Sequence, residues 1–227
     1  MFYKLSLIVF LALMLTPQSF ASDSIGEFIE AKGKVQIKTI KAERVDGVSG
    51  VGISIGDLVK VRKKSFAVIS MNDGSRFQIG PKTTVVFDDF LYDSKTQKLR
   101  GRIIDGVLTY DGQKKLPNST REILANGFTL TVRGTKFAGK FGSSSQIVLL
   151  KGAVGVAGKG DEKLLSGPLQ SVIFDNSGVG EPFTMPIRDV KEFFIEHGLS
   201  FDSLAGPDYE QGLNTGGASC VGSNCGN

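Results

Sequence analysis

The chain has 227 residues, with 29 glycines, 16 phenylalanines, one histidine, two cysteines and no tryptophan. A single histidine argues against a histidine-rich metal site, and two cysteines cannot build a multi-disulfide scaffold or a four-cysteine zinc site. The hydrophobic share of 41% and the charged share of 22% are typical of a globular chain, and the length suits one domain with a small appendage.

Residues 1–21 have the layout of a secretory signal peptide. Lys4 precedes an apolar run of eleven residues, 5–15, whereas a membrane-spanning helix needs about 20. Small residues at the −3 and −1 positions predict cleavage between Ala21 and Ser22. We therefore expect a mature protein that is exported, either to a periplasm or out of the cell, with no transmembrane span after processing.

The body of the chain, residues 22–174, consists of short apolar or alternating runs separated by Gly, Asn and Asp. In runs such as Phe128, Leu130 and Val132, apolar residues alternate with polar ones, which predicts half-buried strands. Glycines before four of these runs recur at intervals of 32, 21 and 25 residues, an order of spacing that also occurs in stacked β-coils. The sequence thus predicts an all-β domain of many short strands, either solenoid-like or roll-like, or a sandwich.

The charges are divided unevenly along the chain. Residues 22–174 carry 24 basic and 15 acidic side chains, whereas residues 175–227 carry two basic and eight acidic ones. A basic body followed by an acidic segment indicates two regions with different roles, or one region that folds over the other.

A helical pattern appears in the acidic segment, residues 175–205. Apolar residues at helical spacing, with Pro186 at the start and Gly198 at the stop, predict a short amphipathic helix over residues 186–197. We expect its Phe-rich face to pack on the sheet; a partner-binding helix is the alternative. Residues 206–227 are polar and glycine-rich and predict a flexible tail.

The two cysteines, Cys220 and Cys225, lie in this tail. Four residues separate them, and the glycine-rich surroundings allow their Cα atoms to approach to disulfide distance. We expect a local disulfide in an oxidising compartment. The alternatives are intermolecular disulfides and a two-thiolate metal half-site, which would leave zinc short of its usual four ligands.

Several short motifs follow one another between residues 33 and 157. Their main residues are Gly56, Asp57, Asp73, Gly74, Ser75, Gly106, Thr131, Gly134, Thr135, Phe137 and Gly152. In order and spacing these motifs resemble the FecR-domain family of envelope proteins. Taken by themselves, Asp73 to Ser75 predict a tight turn and Gly134 predicts a bend in a strand, so we interpret the motif residues as fold determinants.

The resemblance implies an all-β domain outside the cytoplasmic membrane. Members of the family often sense the occupancy of an outer-membrane transporter and relay it to a cytoplasmic sigma factor through an N-terminal anti-sigma region and one membrane span. Because a signal peptide begins this sequence, we expect a standalone member without that region. The resemblance supplies no catalytic residues.

No catalytic, cofactor or metal site is visible in the sequence. His197 ends the acidic helix with no nucleophile near it in the chain, and a triad needs both partners. Asp88, Asp89 and Asp93 cluster but lack the spacing of a calcium-binding loop. We interpret them as a solvated turn, and we expect the protein not to be an enzyme.

Two dense basic runs supply a candidate patch for an anionic envelope polymer, formed by Lys63, Lys64, Lys98 and Arg100. The alternative is a solvated edge strand that lysines protect against pairing. The sequence therefore favours a non-catalytic cell-envelope binding module of the FecR type, whose partner is an envelope protein or an anionic envelope polymer and not a nucleic acid. The alternative function is a periplasmic relay that reports the state of an outer-membrane transporter to a separate membrane regulator.

Overall fold

The computed structural model describes residues 24–112 and 118–214. Within these ranges the chain forms sixteen strands followed by three helices. The strands are β1 (Gly26–Lys32), β2 (Val35–Lys38), β3 (Arg44–Asp46), β4 (Gly52–Ile53), β5 (Leu58–Val61), β6 (Phe66–Met71), β7 (Arg76–Ile79), β8 (Thr83–Tyr92), β9 (Thr96–Asp111), β10 (Asn118–Ala125), β11 (Phe128–Phe141), β12 (Ser144–Gly158), β13 (Asp161–Leu165), β14 (Gln170–Asp175), β15 (Gly178–Val179) and β16 (Phe183–Thr184). The helices are α1 (Ile187–Glu196), α2 (Phe201–Ala205) and α3 (Tyr209–Asn214). The prediction of an all-β domain followed by a short helix is confirmed.

The strands form one continuous hydrogen-bonded sheet that folds into two layers. The helix-side layer has the order β4-β1-β6-β7-β9-β11-β12-β14, with β15 and β16 at its edge. The open layer has the order β3-β2-β5-β8-β9-β10-β11-β12-β13. The ring centroids of Phe77 and Phe87 lie 5.3 Å apart, and those of Phe128 and Phe174 lie 5.0 Å apart, so side chains of the two layers meet in one core.

Of the architectures that the sequence left open, the two-layered sandwich is the one that the chain adopts. Neighbouring strands are antiparallel everywhere among the described residues except between β9 and β10. A solenoid of stacked coils would instead place successive coils in parallel. The regular glycine spacing therefore marks hairpin turns and bends rather than repeated coils.

Three long strands, β9, β11 and β12, belong to both layers, and each bends at a glycine. The φ angles are +118° at Gly106, +58° at Gly134 and +85° at Gly152. A Cβ atom on Gly106 would lie 2.4 Å from the Cα of Thr83, and one on Gly152 would lie 2.3 Å from the carbonyl oxygen of Gly134. Because L side chains rarely adopt positive φ and these two sites leave no room for a Cβ, the bends depend on glycine.

Strand β10 widens the open layer. Residues 106–111 of β9 pair directly with residues 136–141 of β11 in the helix-side layer. In the open layer these two strands diverge, and β10 fills the gap. Its residues 118–125 pair in parallel with residues 96–103 of β9 and antiparallel with the start of β11.

The three helices pack on the outer surface of the helix-side layer over β9, β11 and β12. The second hydrophobic cluster comprises Val107, Ala138, Val148 and Leu150 from the sheet with Val190, Phe193, Phe194, Leu199, Phe201 and Leu204 from the helical segment. The Tyr209 hydroxyl donates to the carbonyl oxygen of Leu150 at 2.9 Å, and Lys136 Nζ donates to that of Leu204 at 2.9 Å. None of the helices in the described ranges is long and apolar enough to cross a bilayer.

Helix α1 places its Phe-rich side on the sheet, as the sequence predicted. Helices α2 and α3 were not predicted, and α3 lies in the range that we expected to be part of a flexible tail. Helices of five and six residues span less than two turns, so they show no clear period in the sequence. Such helices form because their apolar side chains pack on the rest of the protein, not because of intrinsic propensity.

Candidate interaction face

The outer surface of the open layer, where β8, β9, β10 and the first half of β11 lie side by side, is called the open face here. Two ion pairs join β8 and β9 on this surface. Arg102 donates to Asp88 at 2.7 Å, and Lys98 Nζ lies 2.5 Å from Asp89 Oδ2. Exposed pairs of this kind contribute about 0–1 kcal/mol to stability, so their main effect is to orient the charges.

Arg100 forms a third pair, between β9 and β10. Its Nε and Nη2 atoms both donate to Oε2 of Glu122, at 3.1 and 2.8 Å. The hydrogen bond to Glu122, together with the charge of that carboxylate, raises the pKa of the Arg100 guanidinium. The parallel register places Glu122 directly opposite Arg100. The three pairs therefore extend across neighbouring strands of the open face.

Exposed aliphatic side chains lie beside these charges. Leu91 is 48% exposed and Ile104 is 51% exposed. Ile104, Leu124 and Thr129 line an open depression of about 330 Å³ at the β10–β11 turn. An exposed apolar patch rimmed by polar side chains is one feature that marks a protein interaction surface.

A buried polar cluster lies beneath the open face, between the two layers. Asp73, in the turn between β6 and β7, accepts from the backbone N–H and the hydroxyl of Ser75 through Oδ1, at 2.9 and 2.5 Å. Its Oδ2 accepts from Gln97 Nε2 at 2.8 Å and from Arg121 Nη2 at 3.4 Å. The side chains of Arg121 and Asp73 are 1% and 0% exposed. The cluster thus ties a turn of the helix-side layer to β9 and β10 of the open layer.

Tyr110 places its hydroxyl at the edge of this cluster. Burial is the main influence and raises the pKa of the Tyr110 phenol well above its ordinary value, while the charge of Arg121 and hydrogen bonding with Ser75 act in the opposite direction. Its ring packs 5.0 Å from that of Phe77 and 5.7 Å from that of Phe137. Tyr110 is therefore neutral and part of the core.

Gln97 and Arg121 were not predicted from the sequence as members of a buried cluster. One signal was present for Arg121, since it shares a strand face with the apolar residues Ile123 and Ala125. A charged residue at an inward position of a strand requires a buried partner. No feature of the sequence around Arg121 indicates that Asp73, 48 residues away, is that partner.

The turn residues among the sequence motifs lie in tight turns. Asp57 Oδ2 accepts from the backbone N–H of Ser54 at 2.9 Å, and Gly56 has a φ of +83°. Gly74 follows Asp73 with a φ of +79°. These residues fix turn geometry and do not converge on a cavity.

The motif residues of β11 lie around its bend. The buried Thr135 hydroxyl accepts from the backbone N–H of Arg133 at 2.8 Å and donates to the carbonyl oxygen of Ala153 at 2.8 Å, which closes the irregular pairing with β12. Phe137 lies in the core, whereas Thr131 lies on the open face, opposite Glu122. Only Thr131 among these could meet a partner at the open face.

Comparison with known proteins agrees with this arrangement. The model of the FecR protein family matches residues 57–155. The chain carries a FecR domain. The matched range starts at Asp57 and ends three residues beyond Gly152, so it contains the buried polar cluster and the three bending glycines.

Two crystal structures from Parabacteroides distasonis, both of proteins provisionally named anti-sigma factors, share the fold. One is 12% identical with a TM-score of 0.51, covering 60% of this chain and 63% of that chain. The other is 13% identical with a TM-score of 0.50, covering 60% of this chain and 64% of that chain. The match therefore spans less than two thirds of either protein. No protein with a curated description matches the chain.

The four basic residues proposed as an anionic-polymer patch do not lie together in the FecR domain. Lys63 and Lys64 follow the end of β5, which pairs with the start of β8, whereas Lys98 lies opposite Leu91 near the end of β8. This separation is roughly 25 Å along the strand, at about 3.3 Å per residue. Lys98 and Arg100 are neutralised by acidic partners on the open face.

The acidic cluster and the histidine have structural roles. Asp93 accepts from the backbone N–H groups of Lys95 and Thr96, both at 2.7 Å, and these bonds lower the pKa of its carboxyl group. His197 contacts the carbonyl oxygen of Phe193 through Nδ1 at 2.7 Å at the end of α1. The signal-peptide cleavage site at Ala21 and Ser22, and the pair Cys220 and Cys225, lie outside the described residues and stay predictions.

Proposed function

We propose that this chain is a non-catalytic binding module of the bacterial cell envelope that recognises a partner protein with its open face. The observation that carries the proposal is the difference between the two outer surfaces. The chain's own helices cover β9, β11 and β12 of the helix-side layer, whereas the open layer presents three oriented ion pairs beside exposed aliphatic side chains. The FecR domain supports an envelope location, because proteins of this family are associated with the envelope.

The buried polar cluster between the two layers fixes the strands of the open face. Arg121 and Gln97 bind Asp73 from the inner side of β10 and β9, so the strands that carry Arg100 and Glu122 are fixed in register. Arg100 is held by two hydrogen bonds to one carboxylate oxygen. A surface whose side chains are already ordered loses less conformational entropy on binding.

A charge swap tests this proposal. The variant Arg100→Glu/Glu122→Arg keeps the ion pair but reverses the charge pattern that a partner meets. We expect the free energy of unfolding to change by less than about 0.5 kcal/mol, as for exposed substitutions in general, and partner recovery after cross-linking in intact cells to fall at least about tenfold, because like charges become juxtaposed.

The matched control swaps an ion pair on the helix side. Lys191 of α1 pairs with Glu210 of α3, and the variant Lys191→Glu/Glu210→Lys should leave partner recovery unchanged. Equal losses in both variants, or no loss in either, would contradict recognition through the open face.

A second candidate function is a signalling relay that reports the state of an outer-membrane transporter to a membrane regulator. The fold shared with proteins provisionally named anti-sigma factors favours it. If the chain acts as a relay, the cross-linked partner should be a membrane regulator, and deletion of the chain should change the transcription that this regulator controls. If a partner is found but deletion of the chain does not change transcription, the relay function is excluded and only the binding function remains.

A further inference from the structure

Three turns that cross between the layers meet at one end of the sandwich. They follow β1, β5 and β7 and contain Lys34, Arg62 to Ser65, and Lys82. The backbone N–H of Arg62 donates to the carbonyl oxygen of Lys34 at 3.0 Å, and that of Lys82 donates to the carbonyl oxygen of Arg62 at 3.3 Å. The backbone N–H of Lys34 donates to Ser65 Oγ at 2.8 Å. Residues distant in sequence are thus joined into one rigid junction.

This junction carries a group of cations that we call the basic corner. Its members are Lys34, Arg62, Lys63, Lys64 and Lys82. All five are exposed, and none forms an ion pair within 4 Å of a carboxylate in residues 24–112 and 118–214. Their charge therefore remains available to an external anion, unlike that of the basic residues on the open face.

Neighbouring contacts orient this charge without cancelling it. Arg62 Nε and Nη2 donate to the amide oxygen of Gln36 at 3.2 and 3.0 Å, so a neutral group holds the guanidinium. Lys32, by contrast, pairs with Glu30 at 3.2 Å and lies over the ring of Phe66. We therefore exclude Lys32 from the basic corner.

Two of the lysines occupy unfavourable backbone conformations. Lys64 has a φ of +56° and Lys82 has a φ of +57°. A non-glycine residue in this left-handed region costs about 1–2 kcal/mol relative to glycine. The chain places lysine at both positions, although glycine would form the same turns with less strain.

We propose that the basic corner docks the protein reversibly on an anionic lipid surface. No exposed large apolar side chain lies within the three turns, residues 33–34, 62–65 and 80–82. Protein interfaces are depleted in lysine and are anchored by buried aromatic, aliphatic or arginine side chains, whereas four of the five residues here are lysines. Lysines on an exposed surface instead suit the delocalised negative charge of phosphate headgroups. This inference is independent of the open face and of its partner.

Binding to vesicles tests this proposal. The mature protein should bind phosphatidylcholine vesicles that contain phosphatidylglycerol, and not vesicles of phosphatidylcholine alone. Because each cation near an anionic surface contributes about a fivefold change in partitioning, Lys63→Gln/Lys64→Gln should weaken binding roughly 25-fold. Raising the salt from about 0.1 M to about 1 M should abolish binding, because the Debye length falls from about 10 Å to about 3 Å.

Two further variants separate charge from folding. Lys64→Gly/Lys82→Gly also removes two charges of the basic corner but relieves the positive φ at both positions, so binding should fall roughly 25-fold with no loss of thermal stability. Arg133→Gln/Lys151→Gln removes two exposed charges beside the bends of β11 and β12 and should change binding less than about threefold, since charges distant from the surface are screened.

Several outcomes would overturn the proposal. Equal binding to neutral vesicles, binding that resists salt, or an equal loss in the Arg133→Gln/Lys151→Gln control would each exclude specific docking by the basic corner. Binding of long-chain polyphosphate or of an acidic peptide, with no binding to anionic vesicles, would show that the corner serves a soluble anion or a protein instead.

Discussion

The buried pair of Arg121 and Asp73 makes the polar cluster testable. The substitution Arg121→Met keeps most of the side-chain volume and removes the guanidinium. Asp73 then retains three hydrogen bonds, two from Ser75 and one from Gln97, but loses the only buried cation that contacts it in the described ranges. Breaking a buried pair costs about 3–5 kcal/mol. Because three donors remain and the pair is 3.4 Å long, we expect a loss of about 3 kcal/mol in the free energy of unfolding.

A double-mutant cycle isolates the ion pair from the turn. Asp73→Asn keeps an oxygen that can accept from Ser75 but removes the negative charge. This variant leaves the Arg121 charge buried, so it should also be destabilised. The double variant Asp73→Asn/Arg121→Met removes both charges, and its loss should be smaller than the sum of the single losses by at least about 1 kcal/mol.

Urea unfolding followed by circular dichroism measures these energies, since the chain has no tryptophan for fluorescence. A loss below about 1 kcal/mol for Arg121→Met would lie in the range of surface substitutions. Such a value, or strict additivity in the cycle, would refute the view that this cluster locks β10 into the open layer.

Three further changes have defined outcomes. Phe128→Ala empties a fully buried site and should cost about 3–5 kcal/mol in urea unfolding; a cost below about 1 kcal/mol would place Phe128 outside the core. Burial raises the pKa of Tyr209 to about 12, above its ordinary value of about 10. The stability contributed by its neutral form is therefore fully present below a pH of about 10 and disappears as the pH rises through about 12. Absorbance titration should show an ionisation step near pH 12 that Tyr209→Phe lacks; loss of a step near pH of about 10 in Tyr209→Phe would contradict the burial of this phenol. Intact-mass measurement with alkylation should find no free thiol at Cys220 and Cys225 before reduction, and two alkylated thiols would exclude the disulfide.

The strands and turns could be predicted from the sequence because their signals are local. Alternation marks Phe128, Leu130 and Val132 as one inward face of β11, and the bend predicted at Gly134 occurs within that strand, with a φ of +58°. Both follow from the geometry of a single strand, in which successive side chains point to opposite sides and positive φ requires glycine.

The layer arrangement and the charge pattern could not be predicted in this way. Strand β10 begins with polar residues and pairs in parallel with β9, so the sequence between the two strands has no hairpin pattern from which the pairing could be predicted. Lys98 and Arg100 occur in a basic run, yet cross-strand register gives each an acidic partner on a neighbouring strand. Arg62, in the other run, contacts Lys82 and Lys34 only because three separate turns share one junction. Such neighbours are set by long-range pairing, which composition does not reveal.

Site-specific photo-cross-linking in intact cells tests the central claim most directly. A photoreactive amino acid replaces Ile104 on the open face in one variant and Ile195 on the outer side of α1 in another, two isoleucines that are 51% and 77% exposed. Recognition through the open face predicts a discrete cross-linked product from position 104 and none from position 195. The same product from both positions, or a product from position 195 alone, would contradict it.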